Sequence, residues 1–467
     1  MFKTHIILVD DDQTYLDQLN SAFASSGLSC VPIVFRNDPG NVSGIDHVNF
    51  DTNHVRIIAL DINLREFTST QDAKVLYPTI EAVLKKLNPS GPYYLIFWSR
   101  YGNLPAEIIA LLASRSNGEV LAPLGWGFLN KLEFQADVPP DELKKKLLEL
   151  VDQVCIFRLL IEWENRTGYA ASYALSELYK IAAAPHDNGW KIPETQEKLI
   201  TLLTHIAHES VGRKNATGTA NQAVEGGLLP ILEDKLLGMT KEENLDSLNA
   251  KWSACLKQLG ENDLENLTDE DIANLNTFYN LEGVPQDFSK TKRGVFVKMP
   301  NCEGPLASRF FTRFFGKDIS YKKLINEEFL FNTEVGNKSL RKEARENLVL
   351  GWIEIGAVCD HAQQKNRLHR YLLSALVPVE YSAMVCQQRE SGTMLKAHEG
   401  IFRSPVLHYN GKQYILLISF RYTAGLHKDS CMLDKPLFRL KEQIINEVAF
   451  AWSKYSIRPG ITSFRNE

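Results

Sequence analysis

Across the first 150 residues, short continuous apolar runs alternate with longer stretches in which apolar residues recur every three or four positions. The runs are "HIILV" (5–9), "CVPIVF" (30–35), "VRIIAL" (55–60), "YYLIFW" (93–98) and "GWGFL" (125–129). A strand with one wet face alternates apolar and polar residues. These runs do not, so each is expected to be buried on both faces, as in a parallel sheet covered by helices. Between them, "QTYLDQLNSAFASS", "QDAKVLYPTIEAVLKKL" and "PAEIIALLASR" carry the helical period. No such period runs through "RNDPGNVSGIDHVNFDTN" (36–53), so no helix is expected there. The pattern predicts a doubly wound, five-stranded parallel sheet, a fold that gathers functional groups at the carboxyl ends of its strands.

Beyond this point the pattern changes. From "PPDELKKKLLELVDQVCIFRLLIEWEN" to about residue 290 it is helical, with "ASYALSELYKIAAA", "ETQEKLITLLTHIAHES" and "AVEGGLLPILEDKLLGM" as further segments. Pro140 at a helix start and the spacing of Leu143, Leu147, Leu150 and Val154 predict that the helix closing the first domain runs on into this region. The last third is richer in strands. Its strongest signal is "PVLHYNGKQYILLISFRY" (405–422), two β runs around an Asn410-Gly411 pair suited to a type I′ turn, and "LKEQIINEVAFAWSKY" follows as an amphipathic helix. Three domains are expected: α/β over 1–150, helical over 151–290, and a β-rich α+β domain over 291–467.

Composition narrows the function classes. The 44% apolar and 23% charged content of the 467 residues is ordinary globular composition. A net charge of −5, from 52 basic and 57 acidic residues, gives no global drive toward nucleic acid, and no helix-turn-helix with a basic second helix stands out. Seven cysteines, Cys30, Cys155, Cys255, Cys302, Cys359, Cys386 and Cys431, are scattered with no C-x-x-C, which favours reduced thiols over a disulfide framework. Charge arrives by Asp10 before any signal-peptide apolar region, and no uncharged stretch nears the roughly 18 residues of a membrane helix. A cytoplasmic protein without membrane attachment is expected.

The first strand runs into Asp10, Asp11 and Asp12. A helix cap needs one aspartate, and three side by side repel one another unless a cation offsets the charge. The other strand ends are also informative: Asp61 ends the third in "IIALDINL", Ser99 the fourth in "LIFWSRYG", and Lys131 follows the fifth in "GFLNKLEF". Together they form a phosphoryl-transfer constellation. The carboxylates hold Mg²⁺, Asp61 is the nucleophile that forms an aspartyl-phosphate, and Ser99 and Lys131 bind phosphoryl oxygens.

This set resembles the receiver domain of bacterial two-component response regulators, over roughly residues 1–150. The resemblance implies a flavodoxin-like fold with Asp10 and Asp11 as the acidic pair and Asp61 as phosphoacceptor. It also implies Mg²⁺ held by Asp10, Asp11, Asp61 and the Asn63 backbone carbonyl, phosphoryl contacts from Ser99 and Lys131, and Phe128 as the aromatic switch. The sequence departs from the family's pattern at Leu132 and Arg65, each near a usual proline, and at Arg100, where a small residue is usual. Arg100 could block donor access or bind the phosphoryl group. With no recognisable DNA-binding or catalytic output module, the chain resembles regulators of phage-defence two-component systems, the Detocs type above all. That likeness implies a histidine-kinase-like phosphodonor, a role as relay or phosphate buffer, a separate effector regulator of the same system, and no enzymatic activity beyond self-phosphorylation and autodephosphorylation.

A second candidate lies in "GWIEIGAVCDHAQQKNRLHRYLLSALVP" (351–378). Cys359, Asp360, His361 and His369 suggest zinc, or Cys359 with His361 a thiol nucleophile, although neither spacing is a known arrangement and a buried cysteine beside a loop histidine is the plainer reading. The "CDHAQ…K…R" string and the terminal "RPG" resemble C-terminal regions that accompany divergent receivers in bacterial conflict systems. A phosphorylation-gated enzyme centred on Cys359 and His361 is therefore the runner-up, and a regulator with a cryptic DNA-binding surface the third. His205 and His208, one turn apart, are expected to pack helices, and "GRKNATGTANQ" (212–222) is expected to be a polar loop without the Gly-Lys-Ser/Thr of a nucleotide-binding loop.

Overall fold

The computed structural model describes residues 6–25, 28–49, 53–65, 72–115, 118–133, 140–183, 191–242, 245–256, 267–300, 311–362, 368–385 and 400–457. The chain divides into two compact units, residues 1–185 with 230–261, and residues 186–229 with 262–467.

The first unit is built on a parallel sheet of β1 (Ile6–Asp10), β2 (Cys30–Val34), β3 (Ile57–Leu60), β4 (Tyr94–Ser99) and β5 (Gly125–Asn130), in the order β2-β1-β3-β4-β5. Alternate side chains enter two separate cores, as a strand covered on both faces requires. Ile7, Val9, Ile58, Leu60, Leu95 and Phe97 pack on one face under α2 (Ala73–Leu87) and α3 (Pro105–Arg115). Ile6, Leu8, Ala59, Tyr94, Ile96 and Trp98 pack on the other under α1 (Gln13–Ser25) and α4 (Pro140–Asp152). The connection from β2 to β3 contains no helix among its described residues. Turns carry it, and Phe35, Ile45 and Val55 cover the sheet where a helix would lie.

Two expectations for this unit need correction. The closing helix does not run on: α4 stops at Asp152 and α5 (Cys155–Ala182) starts afresh after a turn closed by Val154 N–H to Val151 O at 3.1 Å. Val154 leaves helical geometry at φ −113°, ψ 79°, and its side chain packs into the core beside Phe157. The apolar spacing that suggested one helix continues across the break because both helices face the same core. The cysteines also differ from the expected set of reduced thiols, since Cys155 and Cys255 are joined in a disulfide between α5 and the helix Leu245–Cys255. Two residues 100 apart in sequence carry no local signal of pairing.

The second unit holds an antiparallel sheet of β6 (Leu281–Gly283), β7 (Val295–Lys298), β8 (Val349–Glu354), β9 (His369–Pro378), β10 (Ile401–Tyr409), β11 (Lys412–Leu426) and β12 (Pro436–Leu440), ordered β10-β11-β9-β8-β7-β12-β6. The helix Glu442–Ser456 sets Ile445 and Val448 into the core on one face, with Leu372, Leu416 and Phe438, and the opposite face is filled around Trp352, Phe329 and Tyr371. The segment 212–222 is less of a loop than expected, for it holds a one-turn helix, Arg213–Ala216, and enters the helix Ala220–Glu242. Among the described residues, no helix is long and apolar enough to cross a membrane.

The hairpin between β10 and β11 turns at Asn410 (φ 49°) and Gly411 (φ 74°), the pair of positive φ angles that a type I′ turn demands. No atom lies near a Cβ built on Gly411, so only the backbone opposes a side chain there. Gly411→Ala is expected to lower stability by about 1–2 kcal/mol through its left-handed conformation, while Asn410→Gly should be close to neutral. Chemical denaturation followed at the transition of the second unit checks both.

Candidate functional site

Parallel pairing brings the ends of β1, β3, β4 and β5 to one edge of the sheet. Asp10 is the last residue of β1, and Asp61, one residue past β3, is fixed beside it by Asp61 N–H to Val9 O at 2.9 Å. Ser99 ends β4 opposite Asn130, the residue before Lys131. Asp10, Asp61, Ser99 and Lys131 are all buried, an unusual state for three charged groups and one that demands mutual neutralisation.

The three consecutive aspartates divide their work. Asp12 accepts from the Thr14 backbone N–H at 2.8 Å and so caps the start of α1. Asp10 turns inward, where its Oδ1 accepts from the Asp12 N–H at 3.0 Å. Asp11 is half-buried, and one carboxylate oxygen each from Asp10, Asp11 and Asp61 lie within 4.8 Å of one another. One of the three is thus a cap and two belong to a cluster.

Lys131 balances that cluster. Its ammonium donates to Asp61 Oδ2 at 2.8 Å and stands 2.5 Å from Asp10 Oδ2 as an ion pair without hydrogen-bond alignment, so Asp10 Oδ2 is a buried oxygen with no hydrogen bond. The Tyr15 ring covers the ammonium at 4.7 Å from ring centre to Nζ. Burial alone would depress the Lys131 pKa, but Asp61 and Asp10 outweigh it and the pKa is raised. Asp10 is pushed up to about 7, first by burial and then by the Asp61 charge, with Lys131 only partly offsetting them. Asp11 is raised for the same two leading reasons. Three carboxylates gathered around one ammonium leave a local excess of negative charge. This donor set suits a hard divalent cation such as Mg²⁺, which prefers carboxylate oxygens.

The remaining expected residues differ in exposure. Asn63 is half-buried two residues beyond Asp61. Phe128 is half-buried and lies against Gly102, where a Cβ would come within 3.0 Å of its ring. Arg100 is exposed and donates to the Tyr15 hydroxyl, its guanidinium 5.4 Å from that ring's centre, so it adds positive charge at the rim. Leu132 and Arg65 are exposed. A separate cavity of about 710 Å³ is lined by Ile6 and Ile57, the first residues of β1 and β3, with Phe23 and Phe157, and includes neither Asp10 nor Asp61.

A second cluster lies in the other unit. Glu354, the last residue of β8, is fully buried, and its Oε2 accepts from the Gly356 N–H at 3.0 Å and lies 2.7 Å from His361 Nε2. His369, at the start of β9, has Nδ1 3.8 Å from Glu354 Oε1. Burial lowers the His369 pKa despite the Glu354 charge. His361, one of the two residues expected here, is therefore in a cluster. Cys359 falls on the short helix Val358–Ala362, but its side chain lies outside the described set. Glu354 was the residue missed, although a lone carboxylate ending the apolar run "VLGWIE" was a visible signal. His205 is exposed and His208 half-buried on α6 (Ile192–Val211).

Comparison with protein-family models and with curated proteins finds no match to this chain.

The raised Asp10 pKa fixes the sign of a pH effect. A carboxyl that binds its proton more tightly folded than unfolded loses its contribution to stability as pH rises from the unfolded value near 3.8 toward about 7. Without divalent cations, the first unit should therefore be less stable at pH 8 than at pH 5 on account of this group. Asp10→Asn should raise the melting temperature at pH 8 and give little gain at pH 5, read by calorimetry in EDTA. Equal shifts at the two pH values would contradict the assignment.

Proposed function

We propose that residues 1–150 are a flavodoxin-like receiver domain that accepts a phosphoryl group on Asp61 from a phosphohistidine in a histidine-kinase-like partner, serving as a relay or a phosphate store. One observation carries the reading: the Lys131 ammonium, 4% exposed, is held between the Asp10 and Asp61 carboxylates at the carboxyl edge of a parallel sheet of order β2-β1-β3-β4-β5. A purely structural ion pair needs one carboxylate for one ammonium. Here the surplus carboxylates converge, and a divalent cation would balance them and draw a phosphoryl oxygen to the same point.

In this reading an Asp61 carboxylate oxygen attacks phosphorus. The new O–P bond forms as the N–P bond to the donor imidazole breaks, and the departing nitrogen keeps the electron pair. Asp10, Asp11, Asp61 and the Asn63 carbonyl would hold Mg²⁺, which would supply neutralisation of phosphoryl charge. Lys131 already touches Asp61 and needs only a small shift to donate to a phosphoryl oxygen. Ser99 provides a hydroxyl donor on the same edge, and Arg100 raises the positive potential at the entrance. Movement of Lys131 toward the phosphoryl group pulls on the end of β5, where Phe128 lies against Gly102. Because α4 ends at Asp152, any displacement it carries is delivered as a swing about residues 153–154 and not along a rigid rod.

Acetyl phosphate should label wild-type protein with Mg²⁺ and leave it unlabelled in EDTA. Asp61→Asn should abolish labelling. Lys131→Ala should still fold in Mg²⁺ yet lose most of the response to beryllofluoride, read as hydrogen exchange in residues 124–133 and 140–165. Undiminished labelling in EDTA or in Asp61→Asn would reject the proposal. Binding of beryllofluoride with no change beyond residue 139 would leave phosphate storage without conformational output.

A further inference from the structure

The geometry points to a transition-metal site in the second unit, a Zn²⁺ ion bound by Glu354, His361 and His369 with one coordination position open to a cleft. It is independent of the receiver reading, because none of its residues belongs to the parallel-sheet unit.

Its parts come from three elements. β8 ends at Glu354, the short helix Val358–Ala362 carries His361, and β9 begins at His369. The strands are paired through Glu354 and Tyr371, which brings His369, two residues away, to the same end. One ligand atom of each of the three side chains falls within 4.8 Å of the others. Two ligands of a tetrahedral zinc, each about 2.0–2.2 Å from the ion, stand roughly 3.3–3.6 Å apart. Glu354 Oε2 lies 2.7 Å from His361 Nε2 and its other oxygen, Oε1, 3.8 Å from His369 Nδ1, so the carboxylate spans the two imidazoles at separations on either side of that spacing.

Two further observations indicate a ligand and not a packed ion pair. Glu354 is 0% exposed, yet its Oε1 has no hydrogen-bond partner, and neither does the buried Nδ1 of His369 facing it. A buried carboxylate oxygen and an imidazole nitrogen left 3.8 Å apart are costly as they stand, and a cation between them would satisfy both. The backbone also gives way at this point: a Cβ on residue 356 would come within 2.7 Å of both Glu354 Oε1 and His361 Nε2, so Gly356 leaves room for the cluster. Its N–H holds the other Glu354 oxygen, and its carbonyl accepts from Arg293 Nε at 2.8 Å, which fixes the support around the ligands.

Ligand chemistry selects the metal. Two imidazoles and one carboxylate suit Zn²⁺ and its neighbours in the first transition row, whereas Mg²⁺ and Ca²⁺ prefer all-oxygen sets. A metal at His361 Nε2 would require the neutral imidazole with its proton on Nδ1, so the Nε2 contact to Glu354 Oε2 gives way to the ion. Three protein ligands leave a fourth position for water or another oxygen ligand. His361 and His369 line a cleft of about 580 Å³ with Asp360, Thr291, Lys292 and Arg439, so that position faces a space able to admit a small molecule.

The test uses the full chain with excess Mg²⁺ to occupy the acidic cluster of the first unit. Titration with Zn²⁺ should show one tight equivalent per chain, and Co²⁺ in its place should give visible d–d absorption of a four- or five-coordinate nitrogen and oxygen set. His361→Gln and His369→Gln, both at partly exposed positions, should each weaken Zn²⁺ binding by more than about 100-fold, since loss even of second-shell partners costs 10–100-fold. Both should keep the wild-type circular dichroism. Glu354 is fully buried and its replacement disturbs the core, so the histidine variants decide the matter. Absence of a tight equivalent in the wild type, its survival in both histidine variants, or a thiolate-to-Co²⁺ charge-transfer band would overturn the site.

Discussion

The buried ammonium of Lys131 is the constraint around which the sheet edge of the first unit is arranged. A lysine reaches 4% exposure only where negative charge replaces the water it has lost, and here Asp10 and Asp61 supply it from the ends of two adjacent strands. The pairing fixes the register at which β5 must end relative to β1 and β3, and Tyr15 closes the remaining side. Removing Lys131 leaves the buried carboxylates without their counter-charge, whereas removing Asp10 still leaves Asp61 against the ammonium. The arrangement also leaves a negative surplus, because Asp11 stands in the same cluster and burial already raises the Asp10 pKa. Three carboxylates around one ammonium are unfavourable for folding unless a further cation joins them.

Much of this was visible in the sequence for a physical reason. Strands buried on both faces must be continuously apolar, so "HIILV" and "YYLIFW" announced themselves, and a polar or charged residue ending such a run sits at a sheet edge. Asp10, Asp61, Ser99 and Lys131 were found by that rule. The role of Asp12 as a cap was not separable from its neighbours, since three identical side chains differ only in which way the backbone turns them. The break at residues 153–154 was invisible because Leu147, Leu150, Val154 and Phe157 all bury against one core, and helical spacing continues through it. The Cys155–Cys255 bond depends on packing between distant helices, which periodicity does not encode.

The second cluster shows the opposite limit. His361 and His369 are separated by seven intervening residues, and their relation to Glu354 exists only once β8 and β9 are paired. Attention to the histidines led to Cys359, the chemically reactive neighbour in sequence, when the partner in space was the carboxylate at the end of the preceding strand. Both clusters nevertheless obey one rule. A carboxylate at the terminus of a buried strand is expensive, and in each unit cationic or ligand-bearing groups collect around it.

The central claim, that Asp61 is a phosphoacceptor, is tested most directly by trapping the acyl phosphate. Protein incubated with acetyl phosphate and Mg²⁺ is reduced with borohydride, which converts an aspartyl-phosphate to homoserine, and the peptides are mapped by mass spectrometry. The account predicts homoserine at position 61 and nowhere else, and none in EDTA. Phosphorylated protein that yields homoserine at another aspartate, or none at all, would contradict it.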